Sequence, residues 1–284
     1  MSKPIEERFV EIDGIRVFLR ERRGAGPPTI WVHGNPGDSA DWLPFLAATD
    51  GAAIAPDLPG FGRSARPAPG EFDCTVGSYG RLLARAFAEL APGSYSLVVH
   101  DWGVLGLVAA QARPKAARRL VVVNAVPLSA AYRWHWLARC WRRRGLGELL
   151  ARPRSRRLTD LLLRSARAGR APMPPEQVDR ILEHWDAGMA RAVLALYRSA
   201  DRGVLAAAGE RLGEIDCPAL ILWGADDPYI GSADGRSFER RLPNARFRLI
   251  DGAGHWPWID RPELAAEVAD FLAADPAAAP PPAA

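Results

Sequence analysis

The stretch SLVVHDWG at residues 96–103 carries an apolar strand into a sharp turn and then into a helix. The turn places Asp101 at the end of the strand, with the backbone N–H groups of the helix start beside its side chain. Gly103 and Gly106 let this helix start lie close to the neighbouring strands. The arrangement is that of a nucleophile elbow in which Asp101 holds the central position, where a serine is more usual.

Short apolar runs alternate with helical stretches on both sides of this motif. The runs SLVVH, LVVVN and ALILW are apolar almost throughout, as strands buried on both faces are. This alternation predicts an α/β fold with a mostly parallel central sheet and helices on both faces. The predicted strands cover residues 9–12, 15–20, 29–33, 52–56, 95–100, 120–124, 219–223 and 246–250, and the helices between the later strands cover about 76–91, 103–113 and 262–273.

The alternation stops in the middle of the chain, which there shows no convincing strand. We predict that residues 127–214 form a helical cap over the C-terminal edge of the sheet, where open α/β sheets bind ligands. The core would then consist of residues 1–126 and 215–275. The tail at residues 276–284 is of low complexity, and we expect it to be disordered.

Composition places the chain among ordinary globular proteins. Its 284 residues are 48% apolar and 25% charged, which excludes a mostly disordered chain. The formal net charge is +4, but twelve arginines lie between Arg133 and Arg170, against only Glu148 and Asp160. Such a basic segment can attract nucleic acid or anionic lipid, or it can be a solvated helical face. Because no nucleic-acid motif accompanies it, we predict no nucleic-acid partner.

Cysteine and histidine usage excludes several kinds of site. Cys74, Cys140 and Cys217 are far apart and form no CxxC motif, and the five histidines show no HExxH spacing, so we expect no metal. An odd, scattered cysteine set and the lack of a visible secretory signal predict a cytoplasmic location. No apolar stretch of about 18 residues predicts a transmembrane segment. The sequence leaves the oligomeric state open.

Four further motifs follow predicted strands, and two of them add an acid and a histidine after the elbow residue. The acid Asp227 and then His255 come after the elbow residue Asp101, which is the order nucleophile, acid, histidine. Asp226 is a competing acid, but Asp227 has the more fitting spacing from Gly224. The four motifs are HGNPG at residues 33–37, DLPGFGRS at 57–64, LWGADDP at 222–228 and DGAGHWPW at 251–258.

With these motifs the chain resembles an α/β-hydrolase over nearly its whole length. The Asp-Trp-Gly sequence at the elbow is similar to the branch that contains haloalkane dehalogenases and epoxide hydrolases. The resemblance implies that Asp101 attacks an sp³ carbon and forms an alkyl ester, which water then hydrolyses. His255 would activate that water, Asp227 would orient the imidazole, and no cofactor would be needed.

Two residues favour the haloalkane dehalogenase reaction, in which a carbon–halogen bond is hydrolysed to an alcohol and a halide. A departing halide needs N–H donors and no proton. The resemblance implies that the side chains of Asn35 and Trp102 bind the halide, and that their backbone N–H groups form the oxyanion hole. The partners would be a small apolar substrate and water.

The predicted cap favours the alternative reaction of an epoxide hydrolase. Opening an epoxide leaves an alkoxide, and the resemblance implies that two cap tyrosines, Tyr132 and Tyr197, supply its proton. Trp134, His135 and Trp136 either line an apolar pocket or pack the cap onto the core. A further alternative is a non-catalytic homologue that binds an apolar ligand.

Overall fold

A computed structural model describes residues 4–152 and 155–274 of the chain. Eight strands form one sheet in the order β1-β2-β4-β3-β5-β6-β7-β8, and helices flank it. The predicted α/β fold with its mostly parallel sheet is confirmed, and each of the eight predicted strands is present. The strands are β1 (Glu6–Ile12), β2 (Ile15–Arg22), β3 (Thr29–Val32), β4 (Ala53–Pro56), β5 (Tyr95–His100), β6 (Ala117–Val123), β7 (Ala219–Gly224) and β8 (Ala245–Ile250).

One edge of the sheet is antiparallel and the rest is parallel. The hairpin of β1 and β2 turns at Asp13 and Gly14, whose φ angles of 49° and 77° are both positive, as a two-residue turn of this kind requires. Strand β2 pairs antiparallel with β4, and β3 to β8 run in one direction. The carboxyl ends of these six strands therefore meet at one edge, where the loops after them converge.

The helices cover both faces of the sheet. In β5, Leu97 and Val99 pack in one core with Tyr79, whereas Val98 packs in a second core with Phe45, because successive strand residues point to opposite faces. The α-helices are α1 (Leu43–Ala48), α2 (Val76–Leu90), α3 (Leu105–Ala110), α4 (Trp136–Trp141), α5 (Leu146–Leu150), α6 (Arg156–Arg164), α7 (Pro175–His184), α8 (Ala187–Ser199), α9 (Arg202–Ala208), α10 (Ser232–Arg241), α11 (Pro257–Asp260) and α12 (Leu264–Ala273).

The segment between β6 and β7 is helical. It contains α4 to α9, and within its described part, residues 124–152 and 155–218, it holds no strand. The tail predicted to be disordered, residues 276–284, lies outside the described residues. Across the part of the chain that the structure describes, no helix has the length and apolar character needed to cross a membrane.

Candidate active site

Asp101 lies at the first residue after β5 and has a φ of 49°, a left-handed conformation that turns its side chain sharply out of the strand. Its carboxylate is buried, and the backbone N–H of Asn35 donates a 2.7 Å hydrogen bond to Asp101 Oδ1. A Cβ at Gly34 would lie 2.4 Å from the Cβ of Asp101, so a glycine is needed where the two loops cross. Of the two expected amide donors, only Asn35 makes this bond among the described residues.

His255 and Asp227 meet Asp101 from the loops after β8 and β7. The Nδ1 atom of His255 lies 2.8 Å from Asp227 Oδ2, and its Nε2 atom lies 3.6 Å from Asp101 Oδ2. Because the carboxylate of Asp227 accepts the Nδ1 proton, the Nε2 atom is directed at Asp101. The structure thus brings together the three side chains that were predicted to be catalytic, although they are far apart in the sequence.

Asn124 is part of this arrangement, and the sequence analysis did not assign it. It follows β6 directly, and its Nδ2 donates a 2.6 Å hydrogen bond to Asp227 Oδ2. Its Oδ1 accepts the N–H of Gly224 at 3.0 Å. The backbone N–H groups of Tyr229 and Ile230 hold the other oxygen of Asp227 at 2.8 and 3.2 Å. The sequence does offer a signal for this role, because Asn124 is a polar residue at the carboxyl end of a central strand.

The two carboxylates keep His255 charged in the free enzyme. Burial alone would lower the pKa of His255, but the negative charges of Asp227 and Asp101 outweigh it and raise the pKa to about 10. Burial would likewise raise the pKa of Asp227, but the charge of His255 and the hydrogen bonds from His255 and Asn124 hold it below the usual value. The imidazolium therefore lies between two carboxylates.

His100 supports the loop that carries His255. Its Nε2 donates to the backbone carbonyl of His255 at 2.8 Å, and the two rings lie 4.8 Å apart. Burial and the positive charge of His255 lower the pKa of His100 to about 3, so His100 is neutral at ordinary pH. The helical segment contributes as well, because the backbone N–H of His255 donates to Ala166 at 2.7 Å.

An apolar cavity of about 80 Å³ lies over the Asp101 carboxylate and reaches His255. Residues of α4, α6, α7 and α8 form its far side, so the helical segment covers the reactive groups. Five other residues that the sequence singled out line it, namely Asn35, Tyr132, Trp134, His135 and Tyr197. The rest of the lining is mostly apolar and was not predicted: Pro36, Val126, Leu137, Trp141, Thr159, Leu162, Leu163, Ile181, Leu182, Trp185, Tyr229, Ile230 and Trp256.

The prediction that Trp136 lines the pocket is wrong. Its side chain is 56% exposed and is absent from the cavity wall. Trp136 is the first residue of α4, and His135 caps that helix by accepting the N–H of Ala138. The helix therefore begins with its first side chain facing outwards, while Leu137 turns towards the cavity.

Trp102 is buried beneath the cavity wall. It is not among the lining residues, and its ring stacks on Trp134 at 5.6 Å and meets Tyr197 edge-on at 5.1 Å. Its indole Nε1 is buried without a hydrogen-bond partner among the described residues. A buried unpaired donor beside a ligand cavity is a group that a ligand could satisfy.

Tyr132 and Tyr197 line the same cavity as Asp101. Burial and the charge of Asp101 raise the pKa of Tyr197 far above its ordinary value, and the neighbouring Trp102 and Asn35 side chains oppose that rise. Burial also raises the pKa of Tyr132 strongly, and its hydroxyl has no hydrogen-bond partner among the described residues. Both phenols are therefore protonated and can donate a hydrogen bond or a proton.

Comparisons with known proteins agree with this geometry. The model of the alpha/beta hydrolase family matches residues 30–268. A haloalkane dehalogenase of Mycobacterium marinum is 33% identical over 244 residues, which cover 80% of this chain and 77% of the relative. A second haloalkane dehalogenase, from Mycolicibacterium paratuberculosis, is 32% identical over 88% of this chain and 85% of the relative.

Solved structures show the same fold. The haloalkane dehalogenase DbeA from Bradyrhizobium elkani superposes with a TM-score of 0.81 and 23% identity, over 95% of this chain and 98% of that one. The chain belongs to the alpha/beta hydrolase family and is an enzyme related to the haloalkane dehalogenases.

Proposed function

We propose that the enzyme hydrolyses carbon–halogen bonds of small apolar molecules through a covalent ester on Asp101. The observation that carries this proposal is the state of the Asp101 carboxylate. Its Oδ1 is held by the Asn35 N–H, its Oδ2 lies 3.6 Å from His255 Nε2, and the residue lines the cavity. A carboxylate that is fixed in position and shielded from water can displace a halide from an sp³ carbon.

In the first step, Asp101 Oδ2 forms a bond to carbon as the carbon–halogen bond breaks, and the halide leaves with the bonding electrons. The halide requires hydrogen-bond donors rather than a proton. The Asn35 side-chain amide and the Tyr197 hydroxyl line the cavity and can supply such donors. The unpaired Trp102 indole N–H lies just beneath the cavity wall beside Tyr197, and a halide that reached it would satisfy it. The dehalogenase names of the relatives support this choice of leaving group.

In the second step, water attacks the ester carbonyl and His255 takes its proton. Esterification removes the negative charge of Asp101, which is one of the two charges that raise the pKa of His255. The imidazolium then releases its proton more readily and becomes a base when one is needed. The Asn35 N–H remains at the ester carbonyl oxygen, where negative charge develops. When the tetrahedral intermediate collapses, the bond between the Asp101 carboxyl carbon and the alkyl oxygen breaks, the leaving alkoxide takes a proton, and Asp101 is a carboxylate again. Over the two steps the products are an alcohol, a halide and a proton.

A second candidate function is epoxide hydrolysis, and the positions of Tyr132 and Tyr197 favour it. Both phenols line the cavity and stay protonated, so either can give a proton to the alkoxide that forms when an epoxide opens. The nucleophile and the base would be the same as in dehalogenation. In either reaction the helical segment at residues 127–214 would act as the cap that excludes bulk water.

The cytoplasmic location stays a prediction. The three free cysteines of the chain are compatible with it.

The decisive experiment uses the variant His255→Gln, which keeps the nucleophile and removes the base. Intact mass spectrometry after exposure to a bromoalkane should reveal an alkyl adduct, and peptide mapping should locate it on Asp101. A hydroxyalkyl adduct from an epoxide alone would select the epoxide hydrolase reaction instead. The matched control is the double variant Asp101→Asn/His255→Gln, which should form no adduct. An adduct of equal yield in that control would overturn the assignment of the nucleophile.

A further inference from the structure

The outer surface of α4, α5 and α6 exposes large apolar side chains. More than half of the exposed large apolar residues in the described ranges belong to these three short helices. Isolated exposed leucines are normal, whereas large exposed apolar side chains that are concentrated in one stretch of a chain are typical of residues that meet a partner. Of the three helices, α4 and α5 pack against each other. The side chains and their exposed fractions are Trp136 (56%), Leu146 (37%), Leu149 (57%), Leu158 (44%) and Leu161 (64%).

Unpaired cations lie among these apolar residues. Other arginines of the stretch from α4 to α6 are paired, as Arg164 is with Asp160 at 3.0 Å. Five exposed arginines have no ion pair with any carboxylate of the described residues, and we call them, together with the five apolar residues, the outer face. These five are Arg139, Arg143, Arg144, Arg152 and Arg157.

The combination of groups identifies the partner. We propose that the outer face docks the protein on the surface of an anionic lipid bilayer. Leucine and tryptophan side chains that lie beside arginines are the pattern of interfacial helices, which insert apolar groups below the headgroups while the cations meet lipid phosphates. The long apolar stems of arginine allow the charged ends to reach the headgroups from a partly inserted position.

Two other partners fit the same surface less well. Nucleic acid would satisfy the arginines, but its phosphate backbone would gain nothing from Leu149 and Leu161, the two most exposed leucines of the outer face. A second copy of the chain, joined by a two-fold axis, would place two surfaces against each other that both carry unpaired arginines, and their charges would repel. Anionic lipid is the partner that uses both the apolar and the cationic groups.

The inner sides of α4 and α6 line the active-site cavity. Leu137 and Trp141 of α4, and Leu162 and Leu163 of α6, contact the cavity opposite the exposed residues of the same helices. Docking would therefore hold the cavity about one helix diameter, roughly 10 Å, from the lipid. Delivery of an apolar substrate from the bilayer rests on the proposed function, whereas docking itself does not.

The test is co-sedimentation of the full chain with large unilamellar vesicles. Wild-type protein should bind vesicles of phosphatidylglycerol and phosphatidylcholine at low salt and should bind pure phosphatidylcholine vesicles much more weakly. The variant Arg143→Gln/Arg144→Gln should lower the partition coefficient about 30-fold, which corresponds to about 1 kcal/mol for each basic residue at an anionic surface. The variant Leu149→Ser/Leu161→Ser should lower it by roughly tenfold.

Matched controls change similar exposed residues elsewhere. Arg118→Gln/Arg240→Gln and Leu249→Ser should keep wild-type binding, because these residues lie outside the helical segment. No binding of the wild type to anionic vesicles would overturn the proposal, and so would equal losses in test and control variants. Binding to duplex DNA that needs the arginines but not the leucines would also overturn it. Self-association of the wild type that Leu149→Ser/Leu161→Ser abolishes would overturn the proposal as well. Because vesicle binding needs no turnover, these results are independent of the proposed reaction.

Discussion

The charge of Asp101 should govern the protonation of His255. The variant Asp101→Asn replaces the carboxylate by a neutral group of the same size and mimics the loss of charge in the ester intermediate. We expect the pKa of His255 to fall from about 10 in the wild type, because one of the two carboxylates that raise it is removed.

The size of the expected fall in the pKa of His255 follows from the distance between His255 and Asp101. The 3.6 Å between His255 Nε2 and Asp101 Oδ2 corresponds to a Coulomb energy of about 4.6 kcal/mol at an effective dielectric constant of about 20. That energy is equivalent to about 3 pKa units, and single neighbouring charges shift measured pKa values by about 1 to 3 units. The pKa of His255 should therefore lie at about 7 to 9 in the variant, with Asp227 sustaining the rest of the shift.

The assay is NMR titration of protein labelled with ¹³C in its histidine rings. The spectrum of His255→Gln identifies the resonance of His255 among those of the five histidines. The control Asp251→Asn removes an exposed carboxylate near the same loop and should leave the pKa of His255 unchanged. An unaltered pKa in Asp101→Asn would refute the reasoning, as would a wild-type His255 that titrates near the ordinary value.

Three further predictions test the surroundings of the site. Gly34→Ala puts a methyl group 2.4 Å from the Cβ of Asp101, so kcat should fall about 100-fold and the melting temperature should fall as well; an unchanged kcat would show that the two loops can separate. Asn124→Leu removes a hydrogen bond to Asp227, and kcat should fall about tenfold or more with KM nearly constant in steady-state assays; a change confined to KM would contradict this role. The folded-state pKa of His100, about 3, lies below its unfolded value of about 6.5, so the stability it contributes is present above pH 6.5 and is lost as the pH falls towards 3. Urea unfolding should therefore lose up to about 1.4 kcal/mol per pH unit more in the wild type than in His100→Asn over that window, and parallel pH profiles would exclude the effect.

Much of the fold and of the candidate site could be predicted from local sequence. Runs such as SLVVH are apolar almost throughout because both faces of the sheet are covered, and they match β5 and its neighbours. Asp101, Asp227 and His255 could be predicted to meet because each follows a parallel strand. The carboxyl ends of such strands share one edge whatever lies between them in the sequence.

Other features could not be predicted because they depend on contacts between distant segments. Asn124 holds Asp227 only because β6 lies beside β7 in the sheet order. The N–H of His255 reaches Ala166 only when the helical segment folds over the sheet. Local sequence patterns do not predict which loops come within hydrogen-bond distance of each other.

The three consecutive residues Trp134, His135 and Trp136 show most clearly the difference between what local sequence predicts and what tertiary packing decides. Local sequence placed this aromatic run in the predicted helical segment at residues 127–214, and the order of the motifs predicted the fold and the three side chains that meet at the edge of the sheet. The tertiary structure alone decided that Trp134 and His135 face the cavity and Trp136 faces outwards. The physical reason is that strand order and loop position follow from short-range patterns, whereas the rotation of a short helix follows from packing against partners elsewhere in the chain.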